Sequence, residues 1–317
     1  MRKKTIIKCL IITTIIIFSG FSQQNKFPEL TGPYFGKEAP LDKAVAFVDG
    51  IISVLGEHEM CAAFTEDGKE FYFNRQFNSN WAIFVTREIN GHWTKPEPLP
   101  FSGEYTDRDF TISTDGNTIV FGSDRPAAKG GSRKNKLDIF YTKRLSEGRW
   151  SEPENIGAPI NTDNGENYPS LSRNGNLYFF SQRTDGHGGC DIYLSRLVDE
   201  QYTTPEVLDS NVNSEKNDWD SFIAPDENYI IFSSQNRDDT LGGMDLYISF
   251  RETDGRWTKA VNMGPRVNSK SGEICPSVSP DGKYLFFTTT RRRNNDIFWM
   301  KADIIKEIKR KIIKNEN

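Results

Sequence analysis

Five copies of one motif follow one another along this chain of 317 residues. Aligned on a turn dipeptide, they begin at Glu59 (EMCAAFTEDGKEFYFNR), Asp107 (DRDFTISTDGNTIVFGSDR), Glu166 (ENYPSLSRNGNLYFFSQR), Asp218 (DWDSFIAPDENYIIFSSQNR) and Glu273 (EICPSVSPDGKYLFFTTTR). The starts lie 48, 59, 52 and 55 residues apart. A period of roughly 40–50 residues made of short strands marks a β-propeller, one four-stranded blade per copy. A single copy cannot bury its own apolar face, so the copies must pack side by side around an axis. The fold class expected is all-β.

Each copy reads as the same strands in the same order. An apolar residue sits at a fixed place in the first strand (Phe64, Ile112, Leu171, Ile223, Val278), followed by Asp67-Gly68, Asp115-Gly116, Asn174-Gly175 and Asp281-Gly282. Such dipeptides supply the φ > 0 positions of a tight hairpin. The fourth copy has Asp226-Glu227 instead, which predicts a longer or differently shaped turn. The second strand is an aromatic and β-branched run, as in Phe71-Tyr72-Phe73, suited to burial between blades. The third opens on the Asp of DIF, DIY or DLY (Asp138, Asp191, Asp245, Asp296), replaced by Ala82 in the first copy. A fourth, outer strand follows an aromatic anchor (Trp93, Trp150, Tyr202, Trp257), and Pro96, Pro153 and Pro205 suit an edge.

The last copy lacks this outer strand, since after Trp299 the chain turns basic and helix-like. Residues 46–53 stand where an outer strand would precede the first copy. The two chain ends are therefore expected to close the ring, which removes exposed edges. This predicts five blades, with six as the alternative if residues 24–44 hide a degenerate one. The division expected is a signal peptide at 1–22, a lead-in at 23–44, the propeller at 45–300 and a basic helical tail at 301–317.

The leader is read from Arg2, Lys3 and Lys4, an apolar run from Thr5 to Phe18 and small residues ahead of Gln23. It predicts a periplasmic or secreted protein cleaved near Ser22, with no transmembrane span in the mature chain. Without Arg2, Lys3, Lys4 and Lys8 the chain carries 36 basic against 44 acidic residues, a balance that does not favour nucleic acid. The three remaining cysteines are too few for a disulfide scaffold. Cys61 and Cys275 share one slot of the repeat and are expected to be buried free thiols.

These repeats resemble the TolB-like propeller family, whose pattern is roughly S-P-D-G-x-x-L-x-F-x-S-x-R followed by a Gly-rich turn and D-I-Y. Ser279-Pro280-Asp281-Gly282 with Phe286-Phe287 and Arg291 carry it, as do Ser181-Gln182-Arg183 with Gly188-Gly189-Cys190-Asp191-Ile192-Tyr193. The resemblance covers residues 59–300 and implies a periplasmic or secreted propeller acting as a binding scaffold. TolB-type proteins place an α/β domain before the propeller, and only about 35 residues separate Gln23 from the first copy here. Binding to a peptidoglycan-associated lipoprotein is therefore not transferred.

No nucleophile elbow, P-loop or H-E-x-x-H is present, and His58, His92 and His187 fall at unrelated repeat positions. No catalytic residue, metal ligand or cofactor is assigned. The candidate binding ring is the carboxylate opening each copy: Glu59, Asp107, Glu166, Asp218 and Glu273. Arg75, Arg125, Arg183, Arg237 and Arg291 are placed on the same face as their partners, beside Gly130-Gly131, Gly188-Gly189, Gly242-Gly243 and the basic loop Pro126 to Leu137. Such a ring suits either of two functions. One is a monomeric, non-enzymatic scaffold binding a protein or cell-envelope polymer through that face. The alternative is a carbohydrate-active enzyme, glycosidase or lyase, using axial carboxylates.

Overall fold

The computed structural model describes residues 27–315 apart from Ala39, Leu41, Lys129, Ser146 and Glu147; the leader read in residues 1–22 lies outside them. Five antiparallel blades, each built on a four-strand ladder, surround a central axis, and the first carries an extra short strand, His92–Trp93, on its third. From the axis outward, blade 1 runs Glu59–Phe64, Glu70–Phe77, Asn80–Ile89 and Glu97–Pro98. Blade 2 is Asp107–Ile112, Thr118–Ser123, Asp138–Lys143 and Glu154–Asn155. Blade 3 is Glu166–Leu171, Leu177–Ser181, Asp191–Ser195 and Glu206–Val207. Blade 4 is Asn217–Ile223, Tyr229–Gln235, Asp245–Phe250 and Val261–Asn262.

Blade 5 takes Glu273–Val278, Tyr284–Thr289 and Asp296–Lys301 from one end of the repeats and Val45–Ala46 from the other. Val45 pairs with Trp299 and Ala46 with Phe298, so an N-terminal outer strand closes a ring of five. Packing reinforces the closure. Phe47 is fully buried, with ring centroids 5.1 Å from Phe71, 5.1 Å from Phe286 and 4.9 Å from Trp299. One aromatic just after the closing strand thus holds blades 1 and 5 together.

The fourth hairpin departs from expectation. Its turn has the same hydrogen bonds as the others: Ala224 N–H to Tyr229 O and Glu227 N–H to Ala224 O match Ser279 N–H to Tyr284 O and Gly282 N–H to Ser279 O. Glu227 occupies the glycine's left-handed position at φ 58°. Its carboxylate accepts from Asn176 Nδ2 (2.7 Å) and Arg251 Nη1 (2.8 Å), bonds that offset the backbone strain.

The tail forms a helix, Asp303–Asn315, opened by an acid that complements the helix dipole. Ile304, Ile305 and Ile308 are spaced to share one face and are buried in the core around Phe250, Met263 and Met300. Among the described residues no helix is long and apolar enough to cross a membrane.

Candidate functional site

Every inner strand carries at its start (second residue in blade 4) a carboxylate that is completely buried and faces an arginine at or just past the end of the second strand. The pairs are Glu59–Arg75 at 2.9 Å, Asp107–Arg125 at 2.7 Å, Glu166–Arg183 at 3.5 Å, Asp218–Arg237 at 2.6 Å and Glu273–Arg291 at 3.1 Å. The strand register favours this: in blade 1 Glu59 pairs directly with Arg75, and in the other blades the carboxylate pairs with Ser123, Ser181, Ser234 or Thr289, with the arginine two or three residues further on, just past the second strand. Each arginine also donates to a carbonyl of the preceding connection: Ile51 and Ile52, Phe101, Pro159 and Ile160, Val212, and Val267. The carboxylates take further donors from the same segments, among them the N–H of Val54, Thr162, Ser214 and Ser269. Ten charged side chains are thus turned toward one another and toward backbone, bolting each blade to the chain that enters it.

The Gly-rich turns and basic loops of this face are similarly engaged. A Cβ on Gly188 would stand 1.8 Å from Lys216 O, and one on Gly242 would stand 2.3 Å from Ser269 O, so these glycines allow a turn to lie against the next blade's lead-in. In the basic loop Arg133 binds Asp124, Asn80 and Thr106, while Lys134 pairs with Asp138 at 2.5 Å. Arg292 pairs with Asp49 and Asp296.

Two residues along each inner strand the chemistry changes. All five strands shift register near this point, and the residue there has a left-handed backbone: Cys61 (φ 52°), Asp109 (53°), Tyr168 (49°), Asp220 (44°) and Cys275 (53°). A β-bulge re-aims a side chain. The thiols of Cys61 and Cys275 and a carboxylate oxygen of Asp109 lie within 4.8 Å of one another, and all three residues are buried. Both thiols are free, and burial pushes each of them up. Arg108 Nε stands 3.4 Å from Asp109 Oδ2. Burial raises the Asp109 carboxyl against the pull of Arg108. Asp220 is pushed up to about 7, first by burial and then by the charge of Asp109. Tyr168 donates from its hydroxyl to Pro276 O at 3.3 Å, reaching from blade 3 to blade 5.

Beyond this ring, toward the hairpin turns, the channel opens into a cavity of about 190 Å³. Phe64, Phe110, Phe222, Leu171 and Val278 form its apolar wall, and Tyr168 lines it too. At the rim stand Glu66 and Arg173, both exposed. Glu66 is the one carboxylate among the described lining residues. Reasoning from the repeats overlooked the ring and this mouth. The signal was present, because the slot shared by Cys61 and Cys275 holds Asp109, Tyr168 and Asp220 in the other copies.

No protein-family model matches the chain, and no curated relative does. Solved structures do match. A structure described as a glycoside hydrolase is 10% identical, with 86% of this chain and 92% of that one covered and a TM-score of 0.52. A putative TolB from Agrobacterium tumefaciens is 19% identical over 78% of each chain, at 0.49. TolB from Acinetobacter baumannii is 15% identical, covering 78% of this chain and 52% of that one, at 0.49. Family-43 glycoside hydrolases also match, at TM-scores below 0.5. Such identities speak to fold alone. The chain has a five-bladed β-propeller fold.

Proposed function

We propose that this chain is a non-enzymatic exported propeller that binds a protein or cell-envelope polymer at the mouth of its central channel. The observation that carries the reading is the turn-side cavity, with apolar walls and a single carboxylate. Its volume suits one anchoring side chain or one sugar ring of a larger partner rather than a whole drug-sized ligand, which needs about 300 Å³ or more. The carboxylate face is the weaker docking surface, since its charged groups already satisfy one another. Export rests on the basic start and apolar run of residues 1–22.

A carbohydrate-active enzyme is the competing reading, and its specific support is Asp109 and Asp220, two acids of the axial ring. Glycosidases hold their carboxyls about 5–9.5 Å apart across an open cleft. Asp109 is instead buried beside a guanidinium. The two readings separate by experiment. A photo-crosslinking residue at Thr114 on the cavity wall should capture an envelope component in cells, one at Asp199 should not, and Phe222→Asp should abolish the Thr114 product. Hydrolysis of an arabinan or xylan panel that is lost in Asp220→Asn would instead establish the enzyme.

A further inference from the structure

The axial ring brings together two thiols and a carboxylate from three different blades. Cys61, Asp109 and Cys275 come from blades 1, 2 and 5, and blade 5 stands beside blade 1 only because the ring closes. We propose that these three side chains bind a zinc ion, with Asp220 or water in the fourth position.

Donor chemistry selects the metal. Two thiolates and one carboxylate oxygen suit borderline-soft Zn²⁺, whereas Ca²⁺ and Mg²⁺ require oxygen shells. The spacing also fits. Zinc bonds of about 2.3 Å to sulfur and 2.0–2.2 Å to oxygen place tetrahedral donors about 3.5–3.8 Å apart. Cys61 Sγ and Asp109 Oδ1 stand 4.0 Å apart, so small rotamer adjustments complete the site. Asp109 is already oriented, because Oδ2 faces Arg108 while Oδ1 faces the thiol. Such an outer partner fixes a ligating carboxylate. Asp220 is itself partly exposed.

Binding exchanges protons for metal: each thiol S–H gives up its proton to solvent, its electron pair forms the S–Zn bond, and two protons leave per zinc. Without metal the thiols stay protonated.

The test uses the full chain, purified reduced and stripped with a chelator, with Co²⁺ as the probe and Zn²⁺ as competitor. One equivalent of Co²⁺ should produce a thiolate-to-metal charge-transfer band and the visible bands of a tetrahedral site, and Zn²⁺ should erase both. Cys61→Ser and Cys275→Ser should each lose the charge-transfer band or weaken binding at least tenfold. Asp109→Asn should keep the band with weaker affinity, and Cys190→Ser should change nothing. Should either serine variant fail to fold, alkylation of the wild type decides instead: Zn²⁺ should protect Cys61 and Cys275 at least tenfold and leave Cys190 unaffected. Cobalt bound without a charge-transfer band, a Zn²⁺-independent alkylation rate, or a Cys61–Cys275 disulfide in chain isolated without reductant would each overturn the proposal.

Discussion

Arg237→Met tests how the blades are held together. Arg237 Nη2 lies 2.6 Å from Asp218 Oδ1 and 2.6 Å from Val212 O, and Nε lies 2.8 Å from Ser234 Oγ. Its guanidinium also sits 5.1 Å and 4.7 Å from the ring centroids of Phe232 and Tyr247, a contact that methionine partly preserves. The substitution leaves Asp218 fully buried with only the Ser214 N–H (2.6 Å) and Oγ–H (2.9 Å) as donors. Removing one partner of a buried pair costs about 3–5 kcal/mol. The surviving serine bonds favour the low end, and the deprived Val212 carbonyl adds about 1 kcal/mol. A loss of about 4 kcal/mol should lower the thermal midpoint by about 8–16 °C in a domain of this size.

Differential scanning calorimetry on the full chain, with Arg256→Met as a control, measures the effect. Arg256 is 74% exposed beside Asp254 and Glu252, and its loss should leave the midpoint unchanged. Asp218→Ala combined with Arg237→Met should melt above Arg237→Met alone, because no stranded charge remains. A midpoint for Arg237→Met within about 2 °C of wild type, a shift of under about 1 kcal/mol, would show that the buried pairs hold nothing together. A double variant no better than the single one would show that the cost does not come from the carboxylate.

Closure of the ring predicts that Phe47→Ala costs about 3–5 kcal/mol in urea unfolding, and that a chain starting at Glu57 elutes as aggregate in size-exclusion chromatography. Burial pushes the Glu70 carboxyl up, but hydrogen bonds from Arg144 and Tyr72 and the guanidinium charge hold it below its ordinary 4.5. A depressed acid stabilises the fold above its unfolded value and loses that contribution as pH falls through the folded one. The stability gap between wild type and Glu70→Gln should therefore be full at pH 7 and close below about pH 4.5, as followed by urea midpoints across pH. If residues 1–22 are a cleaved leader, Edman sequencing of exported protein should begin at or near Gln23.

Fold and ring closure were legible because they depend on features repeated in all or nearly all copies: an apolar second strand in five, and a turn dipeptide and an Asp before the third strand in four each. The missing outer strand after Trp299 showed where the chain ends must meet. The turn at Asp226-Glu227 was misread because left-handed backbone is normally left to glycine, and the Asn176 and Arg251 side chains that offset the strain at Glu227 come from other parts of the sequence. The repeat carboxylates were visible, but their complete burial depends on connections such as Val212 to Ser214 folding over them. The axial ring was the hardest feature to read, since period-two alternation does not reveal a register shift and so cannot show which side chain a bulge turns.

That difference separates architecture from chemistry in this propeller. At the start of the inner strand all five copies keep a carboxylate, and all five are paired with an arginine of their own blade. Two residues later the backbone is equally uniform, with φ between 44° and 53°, but the side chains are cysteine, aspartate, tyrosine, aspartate and cysteine. None is glycine, so each blade carries about 1–3 kcal/mol of backbone strain at this point. A strain repeated five times belongs to the fold, because every blade must bend its inner strand in the same way beside the axis. The identity of the residue is not dictated by that bend, which would accept the same side chain in each copy. The geometry is constant while the chemistry varies, and the two cysteines meet only across the seam where the ring closes. Binding at this ring would thus report on closure: metal bound at Cys61 and Cys275 should tie blade 1 to blade 5, so Phe47→Ala, which loosens that seam, should bind Zn²⁺ more weakly and gain less in midpoint than wild type at equal Zn²⁺, a difference that melting curves of the two proteins measure. An equal shift for both would separate the ring from the seam and leave its residues without a role in holding the propeller shut.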